Sequence, residues 1–412
     1  MRRPLSLLSA LLLYALLSSS VHAQDFVIWT RYDLSDSNDP NAVTLNEKIA
    51  RFEEETGFRV VHEQIAWDQM TTALAIAVQA GGSVPDMVEM GSQHIPSLLE
   101  SGVLRTLDDI LEGAEWVADL TEGDSLACIA DGARHCVAHN VRGGVTYYRS
   151  ELFPEGFPQS KEGWLELAPV MRDEVGFFSS QFAGRSFSAV ELVWWPMIAS
   201  NGGTIFDEEG QPAWANEAVV EVVEFGRQLF SEGYFPEVNV TGDFADAEAP
   251  WLDGSAASFR GGSWSAIFVP GLQDSVESGD VRMTGGVDFG GGPRVFMVSE
   301  GWVVPNGAEN LEAARQWLDQ FFEPEPLAAW AAAQFGIPTL ASAYDIAAFD
   351  STFYQAVDEI LGSQGIYMQP SPYYLESLDA LAVALQELFL DTSLDIMDHL
   401  AEAEREVINR FW

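Results

Sequence analysis

The chain has 412 residues, 47% hydrophobic and 20% charged, which is the composition of a folded globular protein large enough for two domains. Its 63 acidic against 20 basic residues give a net charge of -43, which excludes nucleic acid or anionic lipid as a partner, since both need basic surface. Lys48 and Lys161 are the only lysines, and this acid excess predicts a surface suited to saline surroundings, where counter-ions screen self-repulsion.

In chain order, Arg2 and Arg3, the apolar run LLSALLLYALL and the ending Val21-His22-Ala23 read as a cleaved signal peptide over residues 1–23. No cysteine lies beside the cleavage point, so no lipid anchor is expected, and the mature chain is expected to be periplasmic. FVIW (26–29) predicts a strand, and Thr44-x-x-Glu47 a capping box that opens a helix ending at Gly57. A strand over 58–65, a helix over 68–80, a strand over 85–90 and a helix from Ser92 to Gly102 follow. Repeated strand–helix units predict a parallel sheet flanked by helices.

Cys128 and Cys136 flank Asp131-Gly132, a hairpin turn signal that lets the two cysteines face each other. In an oxidising compartment this favours a disulfide over a metal site built with His135 and His139, because C-x2-C spacings are absent. Beyond it, strands are expected over 143–148, 255–262 and 294–305, the last with a loop-like interruption at SEG. Helices are expected over 164–174, 216–233, 311–321 and 326–334, and the tail from 375 to 411 reads as helical.

Of the 13 tryptophans, several sit in small or polar contexts at the ends of apolar runs: Trp29, the pair Trp194 and Trp195 before Pro196, Trp264 in GGSWS and Trp302 in SEGW. A ring held in a loop is a flat apolar plate with one donor, which suits the apolar faces and polar edges of a sugar. Trp317 and Trp330, by contrast, fall in helical packing patterns.

The ordered stretches LNEKIARFEEETG, GGSVPDMVEMG, LLESGVLRTLDDIL, VTYYRSELFPEGFPQSKEGWLEL, SAASFRGGSW and GWVVPNGAENLEAARQWLDQFFEPEPLAAWAAAQFGIPT resemble the extracellular solute-binding proteins of ABC sugar importers, the maltose-binding-protein-like family. That resemblance covers nearly the whole mature chain. It implies an α/β protein of two lobes, each a mostly parallel sheet flanked by helices, with ligand held between them. The lobes are placed at 24–138 plus 293–338, and at 139–292 plus 339–412. It further implies a monomer that binds a small carbohydrate and delivers it to ABC permease subunits, with no cofactor, no metal and no catalysis.

Carried over position by position, the resemblance puts ligand contacts at Trp29, Arg31, Tyr32, Trp67, Glu89 with Gly91, Ser92, Tyr147, Trp194, Trp195, Ser263, Trp264, Glu300, Gly301, Trp302 and Phe335, and more weakly at Tyr373 and Tyr374. Planar polar groups such as Arg31 and Glu89 suit paired hydroxyl contacts. Their structural alternatives are that Arg31 pairs with Asp33 or Asp36 and that Glu89 caps the helix near Ser92. Two other functions compete. A phosphorylated or acidic ligand (glycerol-phosphate-like) needs several basic groups, of which only Arg31, Arg149 and Arg260 are candidates near a cleft. A secreted glycoside hydrolase needs a carboxylate pair, and neither G-x-S-x-G nor H-E-x-x-H occurs.

Overall fold

The computed structural model describes residues 25–412 except 82, 182, 183 and 185. The expected signal peptide lies outside the described residues. Among the described residues there are twelve strands: β1 (Asp25–Thr30), β2 (Arg59–Gln64), β3 (Met87–Gly91), β4 (Ile129–Ala130), β5 (Ala133–Arg134), β6 (Cys136–Arg149), β7 (Phe177–Gln181), β8 (Ala256–Gly262), β9 (Val281–Thr284), β10 (Val295–Val303), β11 (Ile337–Pro338) and β12 (Gly365–Ile366). The main sheet runs β2-β1-β3-β10-β6-β8-β7, with β9 and β11 added on β6 and β12 on β10.

The strand–helix–strand units pair in parallel, β1 with both β2 and β3, and β7 with β8. Two longer strands, β6 and β10, run antiparallel to these neighbours and join the two lobes. Cys136 to Gly143 of β6 pairs with β10, whereas Gly144 to Tyr148 pairs with β8. The change of partner falls on a Gly-Gly pair for a steric reason: a Cβ on Gly143 would lie 2.5 Å from the Phe296 carbonyl oxygen.

Local signals account for most element ends. The helix α1 (Pro40–Thr56) starts where Asp39 accepts the Asn41 amide at 2.8 Å and proline fills the first turn, four residues before the expected Thr44 capping box. Thr44 instead lies inside the helix and donates its hydroxyl to the Pro40 carbonyl at 2.8 Å. Asp131 and Gly132 take positive φ values of 52° and 78°, as a tight hairpin turn between β4 and β5 requires. Cys128 and Cys136 are disulfide-bonded, with Cα atoms 4.8 Å apart. The tail forms two helices, α2 (Tyr374–Leu390) and α3 (Ile396–Phe411).

The buried apolar side chains gather chiefly into two large clusters, the first of which continues across β6 to Trp251 and Phe259. One gathers Phe26, Phe52, Trp302, Trp317 and Trp330, and the other Trp164, Trp194, Trp214 and Phe389. A buried tryptophan removes about 150–250 Å² from water, worth roughly 4–6 kcal/mol at about 25 cal/mol/Å². Rings this deeply placed are therefore the interior on which the cleft is built.

Candidate functional site

A cleft of about 430 Å³ opens between the lobes. Arg31 and Tyr32 reach it from the end of β1, and Trp67 from the turn before the next helix. Arg142 and Glu300 come from the two crossing strands. Across from them stand Glu191, Leu192, Phe244, Trp264, Ile267 and Phe268.

One wall is a continuous polar network. Arg31 donates to both carboxylate oxygens of Glu300, at 3.2 and 2.9 Å, and to the Gln334 side-chain oxygen at 3.1 Å. Arg142 donates to the same carboxylate. Gln334 donates to the Tyr32 hydroxyl at 2.5 Å, and that hydroxyl donates to Glu89 at 3.0 Å. Behind it His139 Nε2 lies 3.3 Å from Glu89, and Trp330 donates to His139 Nδ1 at 3.2 Å. Desolvation alone would raise the Glu300 carboxyl, but the Arg142 and Arg31 charges outweigh it and hold its pKa low. Both cations also lie over aromatic plates: Arg31 is 4.6 Å from the Trp67 ring centre and Arg142 5.3 Å from that of Trp264.

The facing wall is mostly apolar. Its one acid, Glu191, sits in a π-helical turn, Val190–Trp194, a distortion often found at functional sites. Burial drives its pKa up to about 8, against the opposing effect of the Tyr374 hydroxyl, which donates to it at 2.5 Å. His94 crosses toward this wall, packed edge-on to Trp67 on its own side and to Phe187 and Tyr374 opposite, at 5.7, 6.2 and 6.2 Å. It is 3% exposed, and both its ring nitrogens lack partners.

Residues 47–356 match the family described as bacterial extracellular solute-binding protein. The chain belongs to that family. A curated relative, the arabinooligosaccharide-binding protein of Halalkalibacterium halodurans, is 24% identical over 270 residues, covering 63% of this chain and 59% of the relative. The chain thus spans under two thirds of that relative's length. Maltose-bound T. maritima MalE3 superposes with a TM-score of 0.79 at 15% identity, covering 94% of this chain and all of that one. The GacH receptor of Streptomyces glaucescens, solved unliganded and with acarbose, gives 0.78 at 14% identity over 94% and 98%. CpMnBP1 with mannotriose gives 0.77 at 16% over 93% and 99%. These likenesses establish the two-lobed fold.

In this solute-binding protein the structure brings Arg31, Tyr32, Trp67, Trp264 and Glu300 together on the cleft, and places Ser92 in an adjoining cavity. Arg31 pairs with neither Asp33 nor Asp36, because Glu300, distant in sequence, offers a bidentate partner. Glu89 lies one layer beneath the cleft, 1% exposed, as the acceptor for Tyr32 rather than as a helix cap. Several expected contacts lie elsewhere. Trp302 is inside β10, not in a loop, fully buried against Trp317 and Phe321 at 5.5 Å each. Trp29 lies inside β1 as part of a core with Met70 and Val88. Trp194 packs on Phe389 at 4.6 Å, and Trp195 is 3% exposed beside it, since Pro196 occupies a helix's first turn rather than breaking a loop.

The remaining expected contacts are likewise structural. Tyr147 is buried in β6, its hydroxyl donating to the Gly262 carbonyl at 3.0 Å. Ser263 is buried, its amide fixed to the Gly143 carbonyl at 2.9 Å, which sets the approach of Trp264. Gly301 lies in β10 opposite a bulge of β6, where the register skips His139, and a Cβ on it would meet the Val137 carbonyl oxygen at 2.2 Å. Phe335 takes a positive φ of 53° and packs on Phe353 at 5.5 Å. Of the weaker pair, Tyr373 stacks on Phe411 at 5.1 Å, and Tyr374 supports Glu191. Arg149 and Arg260 are tied to backbone carbonyls of Trp251 and Leu192, away from the cleft.

The lining residues that sequence reasoning missed include Arg142, Gln93, Glu191, Leu192, Phe244, Ile267 and Phe268. Arg142 carried a usable signal, a positive charge within a buried strand just before the Gly-Gly crossing. Glu191 carried one too, as a lone acid in the apolar run AVELVWW.

Proposed function

We propose that this protein is the substrate-binding component of an ABC importer, which captures an uncharged sugar or oligosaccharide and hands it to membrane permease subunits. The observation that carries this reading is the pair Trp67 and Trp264 on opposite sides of the cleft, each overlaid by an arginine that Glu300 also holds. Two plates on facing walls can cover both faces of a pyranose, and the ordered polar groups between them meet its hydroxyls. The relatives' ligands (arabino-oligosaccharide, maltose and mannotriose) are of the same class. Ligand contacts to both walls favour the closed arrangement, bounded by the difference in affinity between closed and open states.

The lobes are taken as 24–138 plus 293–338 and 139–292 plus 339–412, and the protein as a periplasmic monomer without catalytic activity. Among the described residues no helix is long and apolar enough to cross a membrane. The acidic-ligand alternative is weakened because both cleft arginines are already engaged by one carboxylate and Asp33 and Asp39 share the lining. Calorimetry against saccharides and phosphate esters tests the reading. Binding to a saccharide, lost in Trp67→Ala and Trp264→Ala, is expected; tight binding to a phosphate ester and to no saccharide would overturn it.

A further inference from the structure

We infer that Arg260 and Gln181, on the neighbouring strands β8 and β7, hold a monatomic anion of the halide type at a site apart from the ligand cleft. Neither residue lines the cleft or the cavity that adjoins it.

Three arginines are buried among the described residues, and two of them have an acid: Arg134 pairs with Asp124, and Arg142 with Glu300. Arg260 is the deepest, at 1% exposed, and no carboxylate of the described residues meets it. Its Nε donates to the Leu192 carbonyl at 3.1 Å. Its Nη1 donates to the Thr146 hydroxyl at 3.2 Å and to the Gly285 carbonyl at 3.3 Å. These are neutral acceptors, so they fix the guanidinium without neutralising it. Burial lowers its pKa only to about 10, and the group is therefore charged at neutral pH. A buried charge with no counter-charge is costly. In a chain with 63 acids, the missing partner is not for want of carboxylates.

The donors for a counter-ion are in place. Nη2 of Arg260 is buried and has no hydrogen-bond partner. Gly144 on β6 leaves that nitrogen uncovered, since a Cβ there would already stand 3.5 Å from it. Gln181 stands in register with Arg260 on the adjacent parallel strand. Residues so paired leave the same face of a sheet, on strands about 4.8 Å apart. Gln181 is fully buried, and its side-chain nitrogen and oxygen both lack partners, although Asn239 holds its backbone amide at 3.1 Å. A buried amide left unpaired at both ends is exceptional and points to a bound group. Nη2 and the Gln181 Nε2 are both donors. Two donors, one of them charged, suit an ion with a single centre. A phosphate or carboxylate carries several oxygens that each need a donor, and this pair supplies too few. Through Nε and the Leu192 carbonyl, the ion steadies the π-helical turn that carries Glu191 and Leu192 to the cleft.

The test is the melting temperature of the full mature protein in sodium chloride and sodium gluconate, mixed at constant sodium so that screening of the acidic surface stays the same. A rise of roughly 3 °C or more is expected between gluconate alone and concentrated chloride. Arg260→Met removes the cation and Gln181→Leu one donor, and both variants should lose that rise. Crystals grown in sodium bromide should show an anomalous peak in contact with Arg260 Nη2 and Gln181 Nε2. Equal melting temperatures in the two salts, a chloride response that both variants keep, or water alone at that place in the bromide crystals overturns the inference. Should Arg260→Met fail to fold, the Gln181→Leu titration and the bromide crystals decide the matter. None of these outcomes bears on the sugar-binding reading.

Discussion

The two walls of the cleft are built on opposite plans. The wall carrying Arg31, Tyr32, Arg142, Glu300 and Gln334 is a closed hydrogen-bonded network, with each member fixed by another. The wall carrying Leu192, Phe244, Trp264, Ile267 and Phe268 is apolar, and Phe268 is 62% exposed. The first wall is organised before ligand arrives, so it costs little ordering on binding and can discriminate hydroxyl geometry. The second gains most when ligand and lobe closure take its rings out of water. Selectivity and driving force are thereby assigned to different sides of one groove.

The comparison breaks most visibly at Glu300. Glu300→Ala leaves the buried Arg142 guanidinium and the half-buried Arg31 guanidinium without their carboxylate, a loss of about 3–5 kcal/mol. Urea unfolding should show this as a lower midpoint at unchanged slope, while Ile267→Ala on the other wall should cost far less. A loss equal to that of Ile267→Ala would mean that the network does not support the fold.

The second prediction concerns pH, and the two sides titrate with opposite sign. Burial depresses His94 from 6.5 to about 4. Its share of stability is complete above pH 6.5 and is lost as pH falls toward 4, by about 3 kcal/mol at most. Burial raises Glu191 from 4.5 to about 8. Its share is complete below pH 4.5 and is lost as pH rises toward 8. His94→Gln should flatten the acid limb of a stability–pH curve, and Glu191→Gln the alkaline limb. Unchanged limbs would show that neither group is buried in solution.

Two smaller effects sharpen the contrast. Trp264→Ala should weaken saccharide binding by about 2 kcal/mol, as for a central anchor, or roughly thirtyfold by calorimetry. Phe268→Ala should leave the unfolding free energy of the free protein within about 0.5 kcal/mol of the parent's, yet weaken binding measurably. A destabilised free protein with full affinity would make Phe268 part of the core instead.

The order of elements was readable because hydrophobic period and turn residues act over a few positions. The helix at 217–231 begins at Asn216, whose side chain accepts the Val219 amide, and the 128–136 hairpin turns where Asp-Gly stands. The cleft was readable only in part. Trp264 follows from local context and Trp67 from the family resemblance, but Trp302 was misplaced because Glu300-Gly301 looks like a loop and instead continues β10 opposite a bulge of β6. The partners of Arg31 were out of reach for a different reason. Glu300 and Gln334 are 269 and 303 positions away, and only the fold decides which of 63 acids meets it.

Arg142 and Glu300 stand on β6 and β10, the strands that also tie the lobes together. The axle of the jaw is thus also its fingertip. A change that alters grip at either residue loads the pivot as well, so affinity and swing cannot drift independently. Selection for a new ligand is channelled toward Trp67, Phe244 and residues 264–268, where a side chain can be exchanged without retuning the joint.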